Sequence, residues 1–148
     1  VVLGSGDWEY ESFFKELAAS FPEKVGLRLG FIPDMARKIY AGSDLFLMPS
    51  KSEPCGLSQM VALRYGSIPI VRETGGLKDT ITDSGDGKGN GFTFKSYDAY
   101  DMLDAIRRAL SAYYDKEYWQ KLVIRALKCD NSWGRSAKEY IKLYESIM

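Results

Sequence analysis

Short apolar runs alternate along the chain with longer segments whose apolar residues recur every three or four positions, and this alternation predicts a series of strand–helix–strand units. The runs place strands near Val1–Leu3, Val25–Gly30, Asp44–Met48, Ser67–Val71 and Gly91–Phe94. The helical spacing places helices near Trp8–Ser20, Met35–Ala41, Leu57–Tyr65 and Leu77–Thr82, each entered through a short polar or glycine-containing loop. Strands joined by helical crossovers run parallel and have both faces covered. The predicted fold class is therefore α/β: a parallel sheet with helices on both faces.

Beyond Tyr97 the pattern becomes helical only. Met102, Ile106, Ala109, Leu110 and Tyr113 share one helical face, with Asp104 and Arg108 as an i,i+4 pair on the wet side. A second helix runs through Tyr118–Leu127. The last opens after Asn131-Ser132, either of which suits a cap, and aligns Trp133, Ala137, Tyr140, Ile141, Tyr144 and Met148 on one face. An aromatic stripe of this kind is expected to be core. The glycine-rich run Asp83–Gly91 has no helix after it, so it reads as a mobile surface loop before the last strand and not as a phosphate loop.

Composition narrows the chemistry. The 148 residues suit one domain spanning 1–148 with a sizeable core. Twenty basic and twenty acidic residues cancel, which argues against a nucleic-acid or anionic-membrane partner and for a small molecule or neutral polymer. Without histidine there is no imidazole base, and with only Cys55 and Cys129 there is neither a zinc site nor a disulfide framework, so no metal or other cofactor is expected. No apolar run approaches the roughly 20 residues that cross a bilayer. The chain starts in the apolar run Val1-Val2-Leu3 rather than with Met, which reads as a cut.

In parallel α/β sheets, ligands sit where strands hand over to helices and free N–H groups point outward. Two such loops stand out, Pro49–Gln59 and Arg72–Leu77. In the first, the N–H groups of Gly56, Leu57 and Ser58 suit an anion such as a diphosphate, and Glu53 suits sugar hydroxyls. Alternatively, Ser52 or Glu53 merely caps a helix starting at Pro54. In the second, Thr74, Gly75 and Gly76 either complete a shared phosphate or sugar pocket or form an ordinary cap and turn; two such loops on neighbouring strands favour the pocket. Cys55 has no base to activate it and is expected to be a buried thiol beside the ligand. Phe31, after Gly30, can stack on a base or pack on the next helix; on residue type alone, packing is favoured.

These residues resemble the bacterial glycogen synthases and plant starch synthases, retaining glycosyltransferases built from two Rossmann-like domains (the GT-B type). The matching runs are Asp44–Leu57 with its Glu53-Pro54-Cys55-Gly56-Leu57, Ala62–Arg72, Thr74-Gly75-Gly76-Leu77-Lys78-Asp79-Thr80, Gly91–Phe94, Asp130–Trp133 and Tyr140–Tyr144. Related transferases often carry Phe where Cys55 stands and Glu where Val61 stands, so these two positions point to the synthases.

The resemblance implies transfer of glucose from ADP-glucose to the non-reducing end of an α-1,4-glucan with retention. It implies that Glu53 binds sugar hydroxyls and stabilises charge as the catalytic carboxylate, beside the backbone of Cys55 and Gly56. By the same resemblance, Leu57 and Ser58 would hold the distal phosphate, Thr74, Gly75 and Gly76 would complete the sugar-phosphate side, and Phe31, with Gly30 before it, would stack on adenine. The family's phosphate-neutralising Arg and Lys and its acceptor-binding N-terminal domain would precede Val1, as would the domain's first strand–helix unit, so the 148 residues alone are not expected to be active. The implied setting is bacterial cytoplasm or plastid stroma. The alternatives are a transferase using another nucleotide sugar such as UDP-glucose, or a non-catalytic nucleotide- or carbohydrate-binding module.

Overall fold

The computed structural model describes residues 1–148, which form two compact units, Val1–Gly42 and Ser43–Met148. In the first, β1 (Val2–Gly4) and β2 (Leu27–Leu29) pair in parallel, with Val2 opposite Leu27 and Gly4 opposite Leu29. The connecting helix α1 (Trp8–Ser20) has Glu9 and Glu11 in its first turn, where the helix dipole favours negative charge. Helix α2 (Pro33–Gly42) opens on a proline, whose missing N–H costs nothing at a helix start.

The second unit contains β3 (Leu45–Met48), α3 (Ser58–Tyr65), β4 (Ile68–Arg72), α4 (Gly75–Thr80), β5 (Phe92–Phe94), α5 (Ala99–Tyr114), α6 (Lys116–Leu127) and α7 (Trp133–Ser146). Its three strands are parallel in the order β3-β4-β5. The central strand buries four successive residues, Ile68, Pro69, Ile70 and Val71, as a strand covered on both faces must. Leu63 of α3, Leu77 of α4, Ala105 and Ala109 of α5, and Trp119 and Leu122 of α6 close the core around it. Gly66 ends α3 in the left-handed conformation at φ 78°, its N–H returning to Ala62 and Leu63, and the chain enters β4 two residues later. Asp98, Asp115 and Ser132 cap α5, α6 and α7 through their side chains.

The α/β class, five parallel strands and seven helices agree with the alternation read from the sequence, and α1 has the expected bounds. The strands form two sheets, of two and three, where the pattern suggested one. Helix α5 turns the small side chains of Ala105 and Ala109 inward, letting it approach the sheet closely; Met102, Ile106 and Tyr113 flank them, while Leu110 is 40% exposed rather than core. The stripe on α7 also differs from expectation. It keeps its helical period, but α7 has no buried residue, and Trp133 is 88% exposed.

The Asp83–Gly91 run is a fastened turn instead of a mobile loop. Ser84–Asp86 form one 3-10 turn with Ser84 buried, and the Tyr118 hydroxyl donates to the Ser84 carbonyl. Arg125 Nε donates to the Gly89 carbonyl at 2.9 Å, and Asn90 spans the turn between Thr80 and Thr82. No helix is long and apolar enough to cross a membrane.

Candidate functional site

Two loops leave the carboxyl ends of β3 and β4 and meet. The first, 49–57, leads into α3; the second, Glu73-Thr74, leads into α4. Their junction is made of backbone. Gly76 N–H donates to the Glu53 carbonyl at 3.1 Å. A Cβ on Gly76 would lie 1.9 Å from the Cys55 carbonyl oxygen, and one on Gly75 would lie 2.1 Å from that of Glu53. Glycine is therefore required at both positions by the neighbouring loop itself.

The start of the first loop is held by Arg72, the last residue of β4. Its Nε donates to the Ser50 carbonyl at 2.9 Å, and its terminal nitrogens donate to the carbonyls of Lys51 and Lys95. A planar guanidinium can serve several carbonyls at once from one fixed position. The end of the loop is held by Gln59, fully buried on the inner side of α3 and donating to the carbonyls of Gly56 at 2.7 Å and Cys55 at 3.3 Å.

The second loop is tied to β5. Glu73 N–H donates to the Phe94 carbonyl at 2.8 Å, and the Thr93 hydroxyl donates to the Glu73 carboxylate at 2.8 Å. Below it, Arg108 makes a two-pronged pair with Asp83 at 2.8 and 3.0 Å and donates to the Thr93 carbonyl at 2.7 Å, so it is more than the surface partner of Asp104 that its spacing suggests. Partial burial pushes the Asp83 carboxyl up, but the Arg108 guanidinium and the N–H groups of Thr93 and Gly85 outweigh it and hold the group below the usual carboxylate range.

The structure brings Glu53, Cys55, Gly56, Leu57 and Ser58 together with Thr74, Gly75 and Gly76. Helix α3 begins at Ser58, with Leu57 at its cap position and no side-chain cap, so neither Ser52 nor Glu53 caps a helix at Pro54. The first-turn N–H groups of α3 thus have no side-chain acceptor. Thr74 occupies the cap position of α4 but makes no side-chain cap bond. Glu53 is half-buried, and Gly56 is buried at φ 73°. Cys55 is exposed, which corrects the expectation of a buried thiol. Gly30 and Phe31 belong to the first unit, after β2; Gly30 has φ 108°, and Phe31 is 92% exposed, so its ring is not packed on the following helix.

Sequence reading missed Gln59, Arg72 and Thr80. A signal for Gln59 was present: Gln59, Ala62 and Leu63 share the i, i+3, i+4 spacing of the buried face of α3, so an amide there needs internal partners. Arg72 carried no such signal, because the carbonyls it serves are distant in sequence.

The model of the family described as "Glycosyl transferases group 1" matches residues 1–126. The glycogen synthases of Bacillus cereus (strain ATCC 10987 / NRS 248) and Geobacillus stearothermophilus are 56% and 55% identical over the whole of this chain. The chain spans only 32% and 31% of their respective lengths. Among solved structures, the catalytic domain of starch synthase IV from Arabidopsis thaliana, bound to ADP and acarbose, matches 97% of this chain and 31% of its own at 40% identity and a TM-score of 0.83. A sucrose-phosphate synthase from Thermosynechococcus elongatus shares the fold at 20% identity and a TM-score of 0.64, over 98% of this chain and 37% of its own. With a family model covering most of its length and these likenesses end to end, the chain belongs to the group 1 glycosyl transferases.

Proposed function

We propose that this chain is the nucleotide-sugar-binding part of a glycogen or starch synthase, which transfers glucose from ADP-glucose to the non-reducing end of an α-1,4-glucan with retention. The observation that carries the reading is the junction of the two loops. It fixes the half-buried Glu53 beside the uncapped start of α3, in a chain 55–56% identical end to end to glycogen synthases. The starch synthase described as bound to ADP supports the nucleotide. The relatives are about three times as long, which supports an acceptor-binding domain elsewhere in the polypeptide.

In the reaction the bond from glucose C1 to the diphosphate breaks and a bond from C1 to the acceptor O4 forms, with the acceptor proton passing to the departing phosphate. Negative charge develops on the diphosphate, and stabilisation aimed there accelerates the step. The first-turn N–H groups of α3, at Ser58 and after the Gly56-Leu57 turn, supply it from the positive helix end. Glu53 holds sugar hydroxyls and balances positive charge developing at C1. It is a binder and stabiliser, not a nucleophile. Thr74, Gly75 and Gly76 line the same junction, and Cys55 contributes its backbone. In the first unit the exposed ring of Phe31, following Gly30, offers a face on which adenine can stack.

Titration calorimetry of the 148-residue chain with ADP, competed by ADP-glucose and by UDP-glucose, tests the reading. ADP binding that ADP-glucose displaces more effectively than UDP-glucose, weakened in Glu53→Ala, is the expected result. A folded sample that binds neither nucleotide sugar overturns it.

A further inference from the structure

The Glu53–Leu57 loop is held at its end by a chain of hydrogen bonds that begins at the buried Gln59. The Gln59 amide nitrogen donates to the Gly56 carbonyl at 2.7 Å and to the Thr80 hydroxyl at 3.0 Å, and lies 3.3 Å from the Cys55 carbonyl. The Thr80 hydroxyl in turn donates a hydrogen bond to the Gly76 carbonyl at 2.6 Å. These hydrogen bonds thus run from the first loop, through a side chain of α3, to a side chain of α4 and back to the glycine that touches the first loop. Its direction is fixed by chemistry. The Thr80 proton is committed to Gly76, so all three neighbours of the Gln59 nitrogen are acceptors, and the amide cannot be turned over without setting its oxygen against them.

This arrangement leaves the other end of the amide unsatisfied. Gln59 Oε1 is buried with no hydrogen-bond partner. It lies against Gly56, where a Cβ would come within 2.6 Å of it. An orphaned buried acceptor is costly, and an apolar side chain of the same shape would avoid the cost. What Gln59 alone provides is a pair of donors that bridge the loop, at the Gly56 carbonyl, to α4, at the Thr80 hydroxyl.

We propose, resting on the functional reading above, that Gln59 and Thr80 are positioning residues: a clasp, built on the buried Gln59 and the half-buried Thr80, that fixes the Glu53–Leu57 backbone against α4 in the geometry needed for glucosyl transfer, without touching the donor. Displacing a reacting arrangement by about 1 Å can cost roughly a hundredfold in rate. The clasp therefore acts on turnover more than on global stability.

The test compares Thr80→Val, which keeps the shape and removes the hydroxyl, with Thr80→Ser, which keeps the hydroxyl, and adds Gln59→Met. All are made in the full-length polypeptide that carries this segment. Steady-state transfer from ADP-glucose to glycogen, thermal midpoint and amide exchange at Cys55–Ser58 are measured. For Thr80→Val and Gln59→Met we expect kcat to fall by about tenfold to a hundredfold with the glycogen KM unchanged. Exchange at Cys55–Ser58 should quicken about tenfold, and Thr80→Ser should restore both kcat and exchange. Wild-type kcat in Thr80→Val, or equal losses in Thr80→Val and Thr80→Ser, overturns the clasp. If Gln59→Met does not fold, the Thr80 pair decides alone. A wild-type protein that binds and transfers no nucleotide sugar defeats the functional reading and the clasp's part in it. In that case unchanged exchange at Cys55–Ser58 in Thr80→Val also defeats the clasp as a loop anchor, and faster exchange upholds it as one.

Discussion

Replacing Gly76 by alanine adds one methyl group where the chain has no room for it. The new carbon would sit 1.9 Å from the Cys55 carbonyl oxygen, 2.5 Å from its carbonyl carbon and 2.6 Å from its Cα, whereas ordinary contact begins at 3.4 Å. All three atoms are backbone, so no side chain can swing aside. The first loop must retreat by more than an ångström, and the Gly76 N–H to Glu53 bond, now 3.1 Å, goes with it. Overpacking costs about 1–3 kcal/mol. The lost hydrogen bond adds about 1 kcal/mol. A destabilisation of about 3 kcal/mol is a large part of the roughly 5–15 kcal/mol that holds a domain together. Urea unfolding followed by tyrosine and tryptophan fluorescence should show the midpoint moving down, and ADP calorimetry should show weakened binding. Gly134→Ala is the matched control. Its added methyl meets nothing closer than 3.6 Å on a helical site, so it should raise stability by up to about 1 kcal/mol. Gly76→Ala with the wild-type midpoint and affinity would refute the close-contact argument.

Other expectations follow from the anchors around the junction. Asp83, held below its ordinary pKa, adds stability that is present at neutral pH and lost as pH falls from about 4 through its lowered folded value. Asp83→Asn should flatten that acid slope in pH-dependent urea unfolding and cost about 1–2 kcal/mol at pH 7, a range kept low because the pair is about a third exposed. Arg72→Lys keeps the charge but cannot serve three carbonyls, so proteolysis within 49–57 should speed up several-fold under native conditions while the unfolding midpoint moves little. Tyr118→Phe removes the hydroxyl that donates to Ser84; about 1 kcal/mol of stability should be lost, with faster amide exchange confined to Asp83–Gly91.

Much of the fold was legible because its cause is local. The buried run Ile68–Val71 and the period of α1, α3 and α6 are written in consecutive residues, and they gave the strand number, the parallel sense and most helices to within a few positions. The division into two sheets is decided by which strand edges meet, and no local pattern records that. Leu110 and the stripe on α7 show the same boundary. Period predicts that a helix has an apolar face, but burial needs a partner, and no element of these 148 residues buries that face of α7. The glycine-rich run at Asp83–Gly91 misled for the opposite reason: its composition is that of a loose loop, while its fasteners, Tyr118 and Arg125, lie more than thirty residues away.

The candidate site divides along the same line. Glu53, Gly56, Thr74, Gly75 and Gly76 were legible as a type of loop, since glycine and a helix start in tandem mark places where backbone is free to approach something. What the sequence could not say is what approaches. For Gly76 the nearest atoms belong to the chain itself, the carbonyl group of Cys55, and for Gly56 they belong to Gln59. Glycines that suggest a ligand thus serve first to bring two loops into backbone contact. A helix end offers its N–H groups to a phosphate only where the preceding backbone is held in place, so packing and binding impose the same residues on this turn. Substitutions that separate the two roles must leave the glycines alone and act on the side chains behind them, at Arg72, Gln59 and Thr80.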